Sequence, residues 1–525
     1  MKKISLFAFV FIFIKSFAQI NSPIIIDIHF TEKQKLYISN NKIHSSIYPF
    51  IPNQITDSIY NVLSEITIDS SESLIKRKIF SENLIEYKFE NQKTFINFYP
   101  DFQIGRDLNG KRNIYINTRG FELKSNISNN LFFSTLFFEN QARFPKYYEE
   151  KVKKIGIVPG QADMFAESSV IDWAYSKSIL SYTPTNNLNL LLAYDKQFIG
   201  DGYRSVILSD ASSNYPFLRF TFSFEPFVYV SSISQILYPN NGIVNNLVGF
   251  ERKWFLFHYL DWNITDDLTV GFFESMTWAD SHNSIKRGFD FTYMNPFLFL
   301  RPVDRKNASA DNAIVALNVK YNLSHKQNLY AQFLLDEFTL KELFSNSGYW
   351  ANKYAFQLGL RGFEKIKTGR FNYLLEYNHV MPFTFSQVNP ITNYGNYYQP
   401  LAHPTGANMN ELLGFINFKF ENINLFFKVN QINSGLDTAN YNFGGDIFKS
   451  YQTRSFEYGN KLLQGLKNNS LFIETSINYI INPVTNLRVE VGLLYNREKN
   501  KNSTQNNLTT FIGLRSSFRN LYFDY

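Results

Sequence analysis

The chain has 525 residues, of which 44% are hydrophobic and 18% aromatic, and it contains no cysteine. Disulfides, thiolate metal sites and lipid attachment through a cysteine are therefore excluded. The formal net charge of +7, from 52 basic and 45 acidic residues, is a weak bias for this length. Because no basic cluster is present, we expect no nucleic-acid partner.

The first residues have the pattern of a secretory signal. Lys2 and Lys3 precede an apolar run from Ile4 to Ile14, and the small-x-small sequence Ser16-Phe17-Ala18 follows. The run is too short to span a membrane as a helix. We predict a Sec signal peptide at residues 1–18. A buried N-terminal strand is the alternative, but it would not explain the paired lysines.

Residues 19–93 show no clear period, and we predict that they form a short N-terminal periplasmic extension. From about Phe95 to Phe518, apolar and polar side chains alternate. The clearest case is residues 487–493, Leu-Arg-Val-Glu-Val-Gly-Leu, and residues 173–195 and 255–278 read as hairpins of the same kind. Successive strand side chains point to opposite faces, so these segments predict strands with one apolar face.

The connections between the predicted strands near the C-terminus differ in length. Residues 482–486 form a tight turn with a proline, whereas residues 496–507 read as a long polar loop. Outer-membrane barrels have short periplasmic turns and longer outer loops. We therefore predict an all-β protein in which residues 94–525 form a large closed antiparallel transmembrane β-barrel of roughly 16–18 strands in the outer membrane. A soluble β-sandwich or solenoid is the structural alternative.

Closure of the sheet has a physical reason. Lipid offers no hydrogen bonds, so an open sheet edge inside it would leave backbone groups unpaired. Charged side chains on the strands must then face the lumen, where they can pair. We predict a lumen charge network that comprises Glu474, Arg488, Glu490 and Arg515. The terminal Tyr525 resembles the aromatic signal that barrel-insertion machinery reads.

Several segments could carry chemistry, but none has a complete motif. The Gly-x-Gly at residues 200–202 lacks the third glycine and the helix of a dinucleotide fingerprint. Asp201 and Asp210 could contribute to a calcium site, although calcium requires several more oxygen ligands. A serine and a histidine could act in a barrel lipid hydrolase, but no local motif marks them. The histidines show no metal-ligand spacing; they are His29, His44, His258, His282, His325, His379 and His403.

An aromatic loop provides the candidate ligand contacts. Tyr394, Tyr397, Tyr398 and Gln399 lie among Asn and Gly residues, a composition suited to carbohydrate or peptide contact. Together with Arg204, they are the predicted glycan-contact residues. An aromatic girdle or a folded-in loop is the alternative interpretation. No catalytic residue, metal site or cofactor is predicted.

Longer segments from about Ile114 to the C-terminus resemble one known family. The segments are residues 117–120 (NTRG), 138–145 (FENQARFP), 200–216 (GDGYRSVILSDASSNYP), 294–296 (MNP), 350–354 (WANKY), 393–408 (NYGNYYQPLAHPTGAN) and 520–525 (NLYFDY). Together they are similar to the gliding-motility protein RemB family of Bacteroidota, which in turn is similar to Wzi-type capsule-assembly outer-membrane barrels. Asn396 stands where that family tends to have a histidine.

The resemblance implies a non-enzymatic surface barrel associated with gliding motility or with the attachment or assembly of a surface polysaccharide such as a capsule. Expected partners are outer-membrane lipid, a surface polysaccharide, and gliding or export machinery. A porin-like channel for small solutes or oligosaccharides is the first alternative function. A barrel lipid hydrolase is the second.

Overall fold

The computed structural model describes residues 44–49, 73–90, 92–239, 249–282, 285–294, 311–337, 339–343, 345, 347–367, 369–516 and 519–525. The predicted signal peptide lies outside the described residues. Strands make up more than half of the described chain, and none of the helices in these ranges could cross a membrane.

Eighteen strands, β1 to β18 in chain order, form one closed antiparallel barrel. Their bounds are Gln92–Asp107, Arg112–Ser128, Leu131–Arg143, Val170–Thr185, Leu188–Asp195, Tyr215–Phe224, Phe227–Pro239, Phe250–Asn263, Leu268–Ala279, Asn312–Ser324, Gln327–Leu335, Tyr354–Ile366, Gly369–Val380, Met409–Phe420, Ile423–Leu436, Leu466–Asn482, Leu487–Asn500 and Thr504–Arg515. Each strand pairs with its neighbours along the chain, and β18 pairs with β1 from Thr509↔Asp107 to Arg515↔Asp101. The predicted closed barrel is confirmed.

The alternation of side chains defines the two faces of the wall. In β17, Val489 and Val491 point outward and are 40% and 51% exposed, whereas Arg488 and Glu490 between them point inward and are buried. Other strands repeat this arrangement, with exposed Leu375 beside buried Glu376 in β13. This inverts the arrangement of a water-soluble protein, and it is what a barrel in lipid requires.

The connections separate the two ends of the barrel. At the short-turn end, tight turns occupy residues 129–130, 186–187, 225–226 and 421–422, and the predicted turn near Pro483 also lies there. At the long-loop end, the connections include residues 144–169, 196–214, 381–408 and 437–465. The predicted long loop at residues 496–507 was wrong, because β17 and β18 stay paired through Asn496↔Asn507 and Lys499↔Thr504. Polar side chains do not end a strand whose backbone still has a partner.

A few short elements complete the described structure. The helices are α1 at Leu74–Phe80, α2 at Lys146–Ile155 and α3 at Leu340–Leu343, and 3-10 turns occupy Phe291–Met294, Pro390–Thr392 and Tyr451–Thr453. The short strands are Ile47–Tyr48, Ile85–Phe89, Phe165–Glu167, Phe198–Ile199, Ser281–His282, Ile285–Lys286, Gly395–Asn396 and Gln399–Pro400. Asn482, at the short-turn end, donates to the carbonyl of Glu82 at 3.0 Å and so ties the segment after α1 to the wall.

The lumen is filled by five segments, which we call the plug: residues 44–49, 157–161, 196–214, 381–408 and 519–525. Most of their residues are buried. Residues 44–49 belong to the segment that the sequence assigns to a periplasmic extension, yet Ile47 and Tyr48 pair with Ile199 and Phe198 in the plug. The side chain of His44 also bonds to Asp261 on the inner wall, at 2.8 Å. At least this part of the N-terminal segment therefore lies within the barrel.

Candidate functional site

A cluster of buried charges, which we call the charge centre, joins the plug to the inner wall. Arg204, from the plug segment after β5, lies 3.0 Å from Asp524 of the C-terminal tail and 3.3 Å from Glu411 of β14. All three side chains are at most 2% exposed. Charges removed from water in this way are stable only when they are paired and hydrogen-bonded.

Further hydrogen bonds tie the charge centre to the backbone of the plug and to the wall. Glu376 accepts the backbone N–H groups of Tyr203 and Arg204, at 2.8 and 3.1 Å. Asn378 donates to Glu376 and to Glu411, at 2.8 Å each, and so bridges β13 and β14. The plug segment at Arg204 is thus held by its backbone as well as by its side chain.

Lys428 extends the charge centre to two further strands, β15 and β16. Lys428 of β15 lies 2.8 Å from Glu474 and 3.4 Å from Asp524. Burial alone would raise the pKa of Asp524, but Arg204 and Lys428 outweigh it and hold that pKa below its ordinary value. Asp524 is therefore ionised at neutral pH and ties the tail to two cations.

His403 belongs to the plug segment between β13 and β14. Burial lowers the pKa of His403, although the Glu411 carboxylate opposes this shift. The neutral ring fits its surroundings, since Nε2 donates to Glu411 at 2.7 Å and Nδ1 accepts the N–H of Thr405 at 3.2 Å. Both ring nitrogens are therefore used in holding the segment in place.

The other predicted network residues form a second group of ion pairs at the seam of the barrel. Arg488 lies 2.8 Å from Glu490, and Arg515 lies 2.9 Å from Glu490 and 3.0 Å from Asp101. The pairs therefore cross-link β17, β18 and β1, the strands where the barrel closes. Glu474, the fourth predicted member, joins the charge centre instead.

A cavity of about 90 Å³ lies between this seam and the C-terminal tail. Arg488 and Arg515 line it from the wall, and Arg519, Leu521 and Phe523 line it from the tail. This space can hold a few water molecules, and Tyr203 of the plug also lines it.

The predicted glycan-contact residues fall into two groups. Tyr394 is completely buried and donates its hydroxyl to the carbonyl of Ile207 at 2.8 Å. Gln399 is also buried, accepts the N–H of Gly160 and donates to Ser213, both at 2.7 Å. In the described structure these two side chains join plug segments. Arg204 does the same, as described above.

Tyr397 and Tyr398 are partly exposed and lie at the tip of a small hairpin. Both have positive φ angles, 54° and 59°, which bulky residues rarely adopt. Their rings pack on Phe250 and Phe448, with ring centroids 4.9 and 4.3 Å apart. These contacts hold the two rings at the surface, where a glycan-contact role remains a prediction.

The residues considered for metal binding and for hydrolysis form hydrogen bonds at separate places in the structure. Asp201 accepts a hydrogen bond from Ser45 at 2.7 Å, whereas Asp210 accepts one from Tyr522 at 2.6 Å. Among the described residues, no cluster of three or more His, Asp or Glu side chains could hold a metal ion. His258 points away from the lumen and bonds to Tyr229 at 2.6 Å.

A group of aromatic rings at the long-loop end was not predicted from the sequence. Trp350 contacts Tyr451 and Tyr349, with centroids 4.5 and 5.9 Å apart, and Tyr349 contacts Tyr458 at 5.3 Å. We call these four residues the mouth platform. They come from two distant connections, residues 336–353 and 437–465, so no local pattern unites them. The density of aromatic residues in 441–458 was the available signal.

Comparisons with known proteins show the fold. No family model matches the sequence, and no curated protein sequence matches it either. Wzi of Escherichia coli, an outer-membrane protein involved in group 1 capsule assembly and described as a carbohydrate-binding β-barrel, superposes with a TM-score of 0.56 at 13% identity. The match covers 94% of this chain and 99% of Wzi.

Two proteins of Pseudomonas aeruginosa match over less of the chain. OprD has a TM-score of 0.41 at 10% identity, covering 80% of this chain and 94% of its own. The outer-membrane protein OpdK has a TM-score of 0.42 at 7% identity, covering 81% and 98%. The chain therefore has the fold of an outer-membrane β-barrel similar to Wzi.

Proposed function

We propose that the protein is a non-conducting, non-enzymatic outer-membrane barrel that attaches or organises polysaccharide at the cell surface. The observation that carries the proposal is the filled lumen: the plug occupies it, and the buried ion pairs Arg204–Glu411 and Lys428–Asp524 fix the plug to the wall. A barrel closed in this way is suited to presenting its loops rather than to transport. The likeness of fold to Wzi and the sequence resemblance to RemB and Wzi-type barrels support the same proposal.

The orientation follows from the connections. Outer-membrane barrels place short turns in the periplasm and long loops outside, so the long-loop end of this barrel would face the surroundings of the cell. The exposed outer side chains of the wall would contact membrane lipid. The long loops would contact the polysaccharide, and a gliding or export apparatus would be a further partner.

The experiment has two parts. The purified protein, reconstituted in planar bilayers, should show little or no steady conductance, and deletion of its gene should reduce the polysaccharide retained on the cell surface. Re-expression of the wild-type chain should restore retention. A large steady conductance, together with unchanged polysaccharide in the deletion strain, would instead establish the porin-like alternative.

The same deletion strain tests the motility-linked role, which rests on the sequence resemblance. Loss of gliding with normal polysaccharide would assign the protein to the motility apparatus rather than to polysaccharide attachment. Lipid hydrolysis by the purified protein would establish the enzymatic alternative. We expect none, because the histidines whose contacts are described above hold structural hydrogen bonds.

A further inference from the structure

The mouth platform keeps large aromatic side chains in contact with water. Tyr458 is 54% exposed, and the neighbouring Phe456 is 52% exposed. Both lie in residues 437–465, at the long-loop end and away from the lipid-facing wall. Contiguous exposed aromatic surface is uncommon in proteins, and it commonly marks a binding site.

The platform has a rigid support. Trp350 donates its backbone N–H to the carbonyl of Glu457 at 3.0 Å, and Gly459 and Asn460 donate theirs to Ser347 and Gly348, both at 2.9 Å. The two connections are therefore joined by their backbones, as in a short sheet. Rings fixed in this way lose little conformational entropy when they bind a ligand.

The platform lies over the lumen. Lys353, immediately before β12, has its ammonium 4.8 Å from the centre of the Tyr451 ring and donates to the carbonyl of Ser386 in the plug at 2.9 Å. Trp350 contacts Phe383 of the same plug segment edge-on, with centroids 6.4 Å apart. The platform therefore rests on the plug, so membrane lipid is not its natural occupant.

Charged groups lie directly beside the rings. The guanidinium of Arg454 lies over the Trp350 ring, 4.4 Å from its centre, and donates from Nε to Glu457 at 2.8 Å. The indole N–H of Trp350 donates to the other oxygen of Glu457 at 3.0 Å. The surface thus combines ring faces with hydrogen-bonding groups of balanced charge.

We infer that the mouth platform binds one or more sugar rings of an extended surface polysaccharide, by stacking on Tyr349 and Tyr458 and by hydrogen bonding to Arg454 and Glu457. This inference rests on the proposed function. A pyranose has a face of C–H groups, which pack on the electron-rich face of an aromatic ring, and a rim of hydroxyls, which both donate and accept. Because the charges of the platform are balanced, the sugars bound there are uncharged.

The test uses the full-length protein in detergent and, as the probe, surface polysaccharide extracted from the cells that make it. Binding is followed by titration calorimetry. The double variant Tyr349→Ala/Tyr458→Ala should bind at least about tenfold more weakly, as expected when anchoring aromatic residues are removed from an interface. The control variant Tyr87→Ala removes a ring that is 59% exposed near the short-turn end, and it should bind like the wild type.

A second variant tests whether the sugar binds at the mouth platform. Trp350 is the only tryptophan of the platform, so sugar binding should change the tryptophan fluorescence of the wild type, and Trp350→Phe should lose that change. Gel mobility before and after heating checks that each variant is a folded barrel. If the wild type binds and the double variant binds equally well, this inference fails while the proposed function stands. If the wild type does not bind, both fail.

Discussion

The wall and the plug of this barrel depend on different features of the sequence. The wall follows a two-residue period, and each outward side chain needs only to be apolar, because lipid accepts any shape. The plug has no period, and its contacts are individually specific. Arg204 and Glu411, for example, are 207 residues apart in the chain, yet they form a buried ion pair.

This difference indicates that the wall and the plug have different roles. The wall supplies stability and membrane residence, and it does so through many interchangeable contacts. The plug closes the lumen through a few contacts that cannot be exchanged, since a buried charge without its partner is strongly destabilising. Changes to the wall should therefore alter stability, whereas changes to the plug should alter conductance while the barrel remains folded.

Removal of the C-terminal tail should give the largest effect. A chain that ends at Ser516 lacks Arg519, Tyr522 and Asp524, which bond respectively to Thr118, Asp210 and Arg204. It keeps every wall strand, because β18 ends at Arg515. We expect an unchanged strand signal in circular dichroism and a change from a closed barrel to a conducting one in planar bilayers. A truncated barrel that stays closed would show that the remaining plug segments seal the lumen without the tail.

A charge placed on the lipid face should have the next largest effect, this time on stability. Leu375 points outward near the middle of β13 and is 53% exposed. Leu375→Arg should lower the free energy of unfolding in lipid by about 2–4 kcal/mol, the cost of an arginine at the middle of the bilayer. The matched control is Ile366→Arg at the end of β12, where the cost near the interface falls to about 0–1 kcal/mol. Denaturant titration in vesicles measures both, and equal losses would contradict the assignment of the lipid face.

The sequence predicted the wall and missed the plug for the same physical reason. Alternation in residues 487–493 is local, so a strand, its two faces and the inward position of Arg488 and Glu490 could be read directly. The role of Tyr394 could not, because its partner Ile207 belongs to another connection. The terminal Tyr525 shows the same limit. It resembles an insertion signal on a last strand, but the last strand of the described chain ends at Arg515. The ammonium of Lys151 in α2 lies 4.3 Å from the centre of the Tyr525 ring.

The mouth platform could be predicted less fully than the wall but more fully than the plug. The sequence shows many aromatic residues in these connections. Their grouping depends on backbone hydrogen bonds between two connections more than a hundred residues apart, such as the bond from Trp350 to Glu457. A sequence pattern can therefore indicate that aromatic residues are numerous there, without indicating which of them share a surface.

Acidification should have the smallest effect, and it separates the two regions most cleanly. The pKa of Asp524 is lowered in the folded protein, below the value of about 3.9 expected in an unfolded chain. Its contribution to plug stability is therefore complete above that value and is lost as the pH falls through the folded pKa. We expect brief channel openings of the wild type to become more frequent below about pH 4, while the wall stays intact. Single-channel recording across this range measures the change.

The variant Asp524→Asn removes the titrating group. It should open more often than the wild type at neutral pH, because Arg204 and Lys428 have lost a shared carboxylate, and its openings should depend less on pH below 4. Asp267→Asn, an exposed aspartate in a short turn, should behave like the wild type at every pH. If Asp524→Asn keeps the wild-type profile, the tail is held by its other contacts, and the ion pairs of Asp524 do not control closure.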